Sequence, residues 1–100
     1  MMRELTIPTD AAEATEAIEV FRGWIIDGGL QCSLFPTVWE ETPEVWGILL
    51  ADAARHVANA IAEDTGVDSA TVFSTIRAAL ENELRDPSDE HEGQFTERNG

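Results

Sequence analysis

The stretch EVFRGWIIDGGLQCSLF, Glu19 to Phe35, decides how this chain is built. Two runs rich in β-formers flank Asp27-Gly28-Gly29, and Asp-Gly or Gly-Gly between such runs marks a β-hairpin with a two-residue turn. Placing the turn at Asp27-Gly28 or at Gly28-Gly29 gives the same facing. Alternation along each strand then puts Phe21, Gly23, Ile25, Leu30, Cys32 and Leu34 on one side. Arg22, Trp24, Ile26, Gln31, Ser33 and Phe35 share the other. The first face carries no polar side chain beyond the thiol, so it is expected to cover a core. The second is mixed, yet it holds Trp24, Ile26 and Phe35. These three are the candidate interface residues, because they form more apolar surface than a monomer leaves wet.

Beyond Pro36 the pattern changes period. In TPEVWGILLADAARHVANAIAEDTG, Thr42 is placed to N-cap a helix, Pro43 suits its first position and Glu44 complements the positive helix end. The helix is expected to run to about Asp64 and stop at Gly66. At 100° per residue Trp46, Leu49, Leu50, Ala53, Val57, Ala60 and Ile61 fall on one arc, the expected core face. Asp52, Arg55, His56, Asn59 and Glu63 lie opposite, with Ile48 among them. Asp68 is expected to cap a second helix, Ser69 to about Arg85, which ends before Asp86-Pro87. Its stripe is Val72, Phe73, Ile76, Ala79, Leu80 and Leu84. Glu83 falls inside that stripe, either reached by Arg55 or Arg77 or lying at the frayed end.

The fold class that follows is α+β: an antiparallel hairpin packed against two helices, with Leu5–Ile7 as an optional third, N-terminal strand. Residues 1–17 read as a leader in which Asp10 and Glu13 have capping-box spacing, suggesting a helical turn or two within Asp10–Ala17. Residues 18–86 form the single domain. Residues 87–100, DPSDEHEGQFTERNG from Asp86 onward, are polar and aperiodic and read as an acidic disordered tail. One hundred residues is one domain's worth, able to fold alone with little margin.

Charge excludes more than it suggests. Twenty acids face six bases, all arginine, for a net −14. Such a field repels phosphates and anionic lipid, so neither nucleic acid nor membrane is an expected partner. No stretch approaches the length of an apolar membrane span, and MMRELTIPTD has no signal-peptide core, which makes the cytoplasm the default location. A single cysteine, Cys32, rules out an intrachain disulfide or cysteine zinc cluster.

The sequence from Arg22 to Asn59 also has a family look. GWIIDGGLQCSL, a tryptophan-bearing acidic loop, VWGILLADAARHVANAIAE and the later IRAALENEL resemble a bacterial family known as domain of unknown function 5076. The resemblance spans roughly residues 18–87. It departs at Gly23, where a β-branched residue is expected, leaving a gap in the first hairpin face. The family has no assigned activity, so the resemblance implies a small bacterial protein and supplies no catalytic residues.

Candidate sites are few. His56 with Asp52, Asn59 and Glu63 forms a ridge on one helix, where a metal would want ligands converging from several directions. No metal, cofactor or catalytic residue is therefore expected; His56 is read as a boundary histidine bonded to Asp52 or a carbonyl, and Asp52 can also pair with Arg55 along the helix. Trp39 and Trp46 bracket EETPEV and would make an aromatic lip over a small groove. With His56 and Asp52 they are the weak ligand-binding candidates, and they define the alternative reading of a small-molecule binder or small enzyme. The preferred reading is a non-catalytic interaction or regulatory module. A two-stranded sheet with open edges and a surplus apolar face is best satisfied by a second copy, so a homodimer joined through these strands is expected.

Overall fold

The computed structural model describes residues 1–87 and the backbone of 93–97. The chain is α+β, with the expected antiparallel hairpin and two long helices. It falls into two compact units: residues 1–38 together with the strand at 93–97, and a helical unit beginning at Trp39.

In the first unit a short helix α1, Thr9–Glu13, follows an irregular leader. Pro8 occupies its N-cap position without a side-chain cap, so the Asp10–Glu13 capping box does not form. Proline fixes its own φ and lacks the N–H a box would use, which lets it start the turn alone. Strands β1, Phe21–Ile26, and β2, Gly29–Leu34, pair with Ile26 opposite Gly29 and Phe21 opposite Leu34. That register fixes the turn at Asp27-Gly28. Both turn residues have positive φ, 51° and 84°, the type I′ geometry that matches strand twist. The Phe35 N–H continues the ladder to the Val20 carbonyl at 3.0 Å.

Two expectations about this unit are corrected. Leu5–Ile7 does not form a strand. A third strand instead comes from the other end of the chain: β3, Gly93–Glu97, lies parallel to β2, giving the order β1-β2-β3. Part of the segment read as a disordered tail thus has paired backbone. The pairing is with a strand some sixty positions earlier, which local periodicity does not register. The remaining tail positions, His91 among them, lie outside the described residues.

A 3₁₀ turn, Pro36–Trp39, leads toward the helical unit. There α2, Glu44–Thr65, and α3, Ser69–Arg85, pack on each other. Gly66 closes α2 in the left-handed region, φ 79°, its N–H bonded to the Ala62 carbonyl at 2.9 Å. Asp68 caps α3 through its carboxylate, which accepts from the Thr71 N–H at 3.1 Å. Thr42 does not cap α2. Pro43 takes the N-cap position and no side-chain cap bond forms, while Val45 N–H donates to the Thr42 carbonyl in a tight first turn.

The buried face of α2 also differs from the expected arc. Ala58 is 1% exposed and is the buried hydrophobic residue of the helix, with Ala51, Ala54 and Ala62 half-buried on the same stripe. Of the expected arc, Trp46 and Leu49 are half-buried, whereas Leu50, Ala53, Val57, Ala60 and Ile61 are exposed. On α3, Val72, Phe73 and Ile76 are half-buried, whereas Leu80 and Leu84 are exposed toward the C-terminal end. Among the described residues no helix is long and apolar enough to cross a membrane.

Candidate interaction surface

Hairpin parity sorts the side chains as the sequence implied, but coverage is the reverse of what was expected. Ile25 is 73% exposed, and Phe21 and Leu30 are also exposed on the same all-apolar face. Cys32 and Leu34 complete that face half-buried, and Cys32 is a free thiol. Of the candidate interface residues on the mixed face, Trp24 and Phe35 are half-buried and Ile26 is exposed. Periodicity tells which residues share a face. It does not tell which face another part of the chain will cover.

The leader does part of that covering. Arg22, on the mixed face, donates to Glu4 at 2.8 Å and to Glu19 at 2.9 Å. Its pKa is raised, chiefly by its hydrogen bond to Glu19 and then by that carboxylate's charge, so the guanidinium stays protonated. An open groove of about 820 Å³ lies between leader and β1, lined by Leu5, Ile7, Ile18, Phe21, Gly23 and Trp24 among others. Consecutive β1 residues from both faces line it and no β2 residue does. The groove therefore follows the edge of β1 turned away from β2.

Among the described residues no strand pairs with that edge, since β1 is an outer strand of the sheet. In an antiparallel ladder inward- and outward-directed backbone groups alternate along each strand. Val20 accepts from Phe35, so Val20, Arg22, Trp24 and Ile26 direct their backbone groups toward β2. Phe21, Gly23 and Ile25 present theirs to the groove. Gly23 is crowded rather than empty: an added Cβ would meet Phe21 Cε1 at 3.0 Å and Leu30 Cδ1 at 3.3 Å. The gap foreseen in this face is closed by the Phe21 ring and Leu30 folding over the glycine.

The other sequence candidates lie in the helical unit. His56 and Asp52 are both exposed, and Asp52 pairs with Arg55 at 3.4 Å instead of with His56. Arg55 stands over the Phe73 ring, 5.5 Å from its centroid, which anchors α2 to α3. Arg77 pairs with Glu81 at 2.8 Å. Trp39 and Trp46 do come together, edge to face, with centroids 5.2 Å apart and planes at 73°. Each ring thus has the other as a neighbour. His56 lies ten positions beyond Trp46 on the same helix, about 15 Å along its axis, so histidine and rings do not converge. Among the described residues no three metal-ligating side chains cluster. What the sequence reading missed is the exposed trio Phe21, Ile25 and Leu30 with the bare β1 edge. The signal available was the turn itself, which fixes both the parity and the outward backbone groups.

With this geometry in view, the family model for the domain of unknown function DUF5076 matches residues 4–88. The chain belongs to that family. Among solved structures, a protein from the photosynthetic bacterium Rhodopseudomonas palustrus CGA009, described as a "putative pyruvate dehydrogenase", is similar at 35% sequence identity and a TM-score of 0.70. The likeness covers 98% of this chain and 96% of the other. No curated protein matches the chain.

Proposed function

We propose that this DUF5076 member is a non-catalytic interaction or regulatory module that works as a homodimer in the cytoplasm. The observation that carries the reading is the hairpin face on which Ile25 is 73% exposed, beside exposed Phe21 and Leu30. Contiguous apolar surface of this kind marks association sites in chains that stay in solution. The charge supports the same reading. A net −14 keeps copies apart everywhere except at an uncharged patch, and this face holds no ionised group. The competing reading, a small-molecule binder built from His56, Asp52, Trp39 and Trp46, asks those side chains to converge. The Trp39–Trp46 contact favours it locally, but both polar members are exposed and distant along α2.

Size exclusion with light scattering, run over a range of concentrations, is the test. A mass near twice that of one chain is expected, and a constant single-chain mass refutes the homodimer. Replacing His56 with Asn is expected to leave that mass unchanged, since the residue lies outside the proposed contact.

A further inference from the structure

We propose that the two copies join edge to edge through β1, antiparallel, with Gly23 on the two-fold axis. This rests on the homodimer reading above and names the surface that makes it. The first support is the backbone. Phe21, Gly23 and Ile25 present unpaired N–H and C=O groups to an open groove along the β1 edge, and a strand added there would satisfy them. The second is the register. Antiparallel pairing requires outward-facing residues to meet each other, so only alternate alignments are allowed. Centring on Gly23 puts Phe21 opposite Ile25 of the second copy and Ile25 opposite its Phe21. These are aromatic–β-branched pairs on the exposed face. On the other face Arg22 meets Trp24 of the second copy, a cation beside an indole.

Neighbouring alignments are worse. Centring on Arg22 sets two guanidinium groups side by side. Centring on Trp24 leaves Val20 and Phe21 unpaired, whereas the Gly23 register pairs every residue from Val20 to Ile26. The Phe21 ring folds over Gly23, 3.0 Å from where a Cβ would stand, so a Cβ there needs the ring to give by only a few tenths of an ångström. Such an interface is isologous, as a two-fold contact must be. β3 covers the far edge of β2, so the edge of the hairpin that a second copy can reach is that of β1. The product would be a continuous six-stranded sheet in the order β3-β2-β1-β1-β2-β3.

The test uses single-cysteine chains made on a Cys32→Ser background. Gly23→Cys is expected to form a disulfide-linked dimer on mild oxidation, because paired Cα atoms about 5.5 Å apart suit the bond. Ile25→Cys is expected to stay unlinked, since in this register the two copies of position 25 stand about 13 Å apart along the strands. As a second arm, Ile25→Lys alters a side chain already 73% exposed, so folding should persist while the mass falls from that of two chains to that of one. Circular dichroism confirms the folded state of each variant. A dimer that keeps its mass in Ile25→Lys and does not cross-link at position 23 overturns the β1 pairing while leaving the homodimer intact. Cross-linking at position 25 instead overturns the register. A monomeric parent chain removes both readings.

Discussion

Helix α2 offers two adjacent positions whose substitutions should behave oppositely to what residue size suggests. Ala58, at 1% exposure, is the most covered position of the helix, while Val57, one step round it, is 49% exposed. Ala58→Leu adds three carbons where there is no room, and forcing extra methylenes into a packed contact costs about 1–3 kcal/mol. A Leu there gains nothing from helix propensity over Ala that would offset the clash. For a chain of this size each kcal/mol moves the midpoint by about 4–8 °C, so Tm should fall by roughly 4 to 24 °C. Val57→Ala removes methyl groups that are already half in water, and alanine is the better helix former. The two effects oppose each other and should leave stability within about 0.5 kcal/mol. Thermal unfolding followed by circular dichroism at 222 nm, at one fixed protein concentration, compares the two variants directly. If Val57→Ala proves the more damaging and Ala58→Leu is tolerated, the helix is rotated from the orientation described, and the arc of large apolar residues is the buried one after all.

Three further substitutions probe the local devices of the fold. Asp68→Ala removes the carboxylate that accepts from Thr71 and should destabilise by about 1 kcal/mol in urea titration, whereas Asp68→Ser should retain most of it. Gly66→Ala places a Cβ in the left-handed region at φ 79°, and a loss of about 1 kcal/mol is expected even though the site is sterically open. Arg22→Gln should release Glu4 and expose the leader to faster limited proteolysis ahead of β1, with little change in global stability, since its ion pairs are exposed to solvent screening. An unchanged cleavage rate would show that the Arg22–Glu4 contact does not hold the leader.

The hairpin and both helix ends at the α2–α3 turn were legible because each is set by chemistry within a few residues. Asp27-Gly28 tolerates positive φ at two consecutive positions, so turn, register and parity came together. Gly66 and Asp68 stop one helix and start the next for equally local reasons. Local signals misled where a proline competed with a capping side chain, as at Pro8 and Pro43. The candidate site was legible only in part. The pairing of Trp39 with Trp46 followed from their bracketing of a short loop, and of the two partners in reach of Asp52 along the helix it is Arg55, not His56, that pairs.

The sequence by itself determined which side chains share a face, where each element turns, and the acid surplus that limits what the surface can bind. Only the tertiary structure decided which face is covered. An amphipathic pattern states that a stripe is apolar, but burial depends on the shape of what approaches it. On α2 Ala58 is the most covered position, with Ala51, Ala54 and Ala62 half-buried beside it, while Leu50 and Val57 are exposed. On the hairpin the leader is tied to β1 through Arg22 and Glu4, and Phe21, Ile25 and Leu30 of the apolar face are left exposed. The strand at 93–97 pairs with β2 across most of the chain's length, a contact set by the fold and written in no nearby residue.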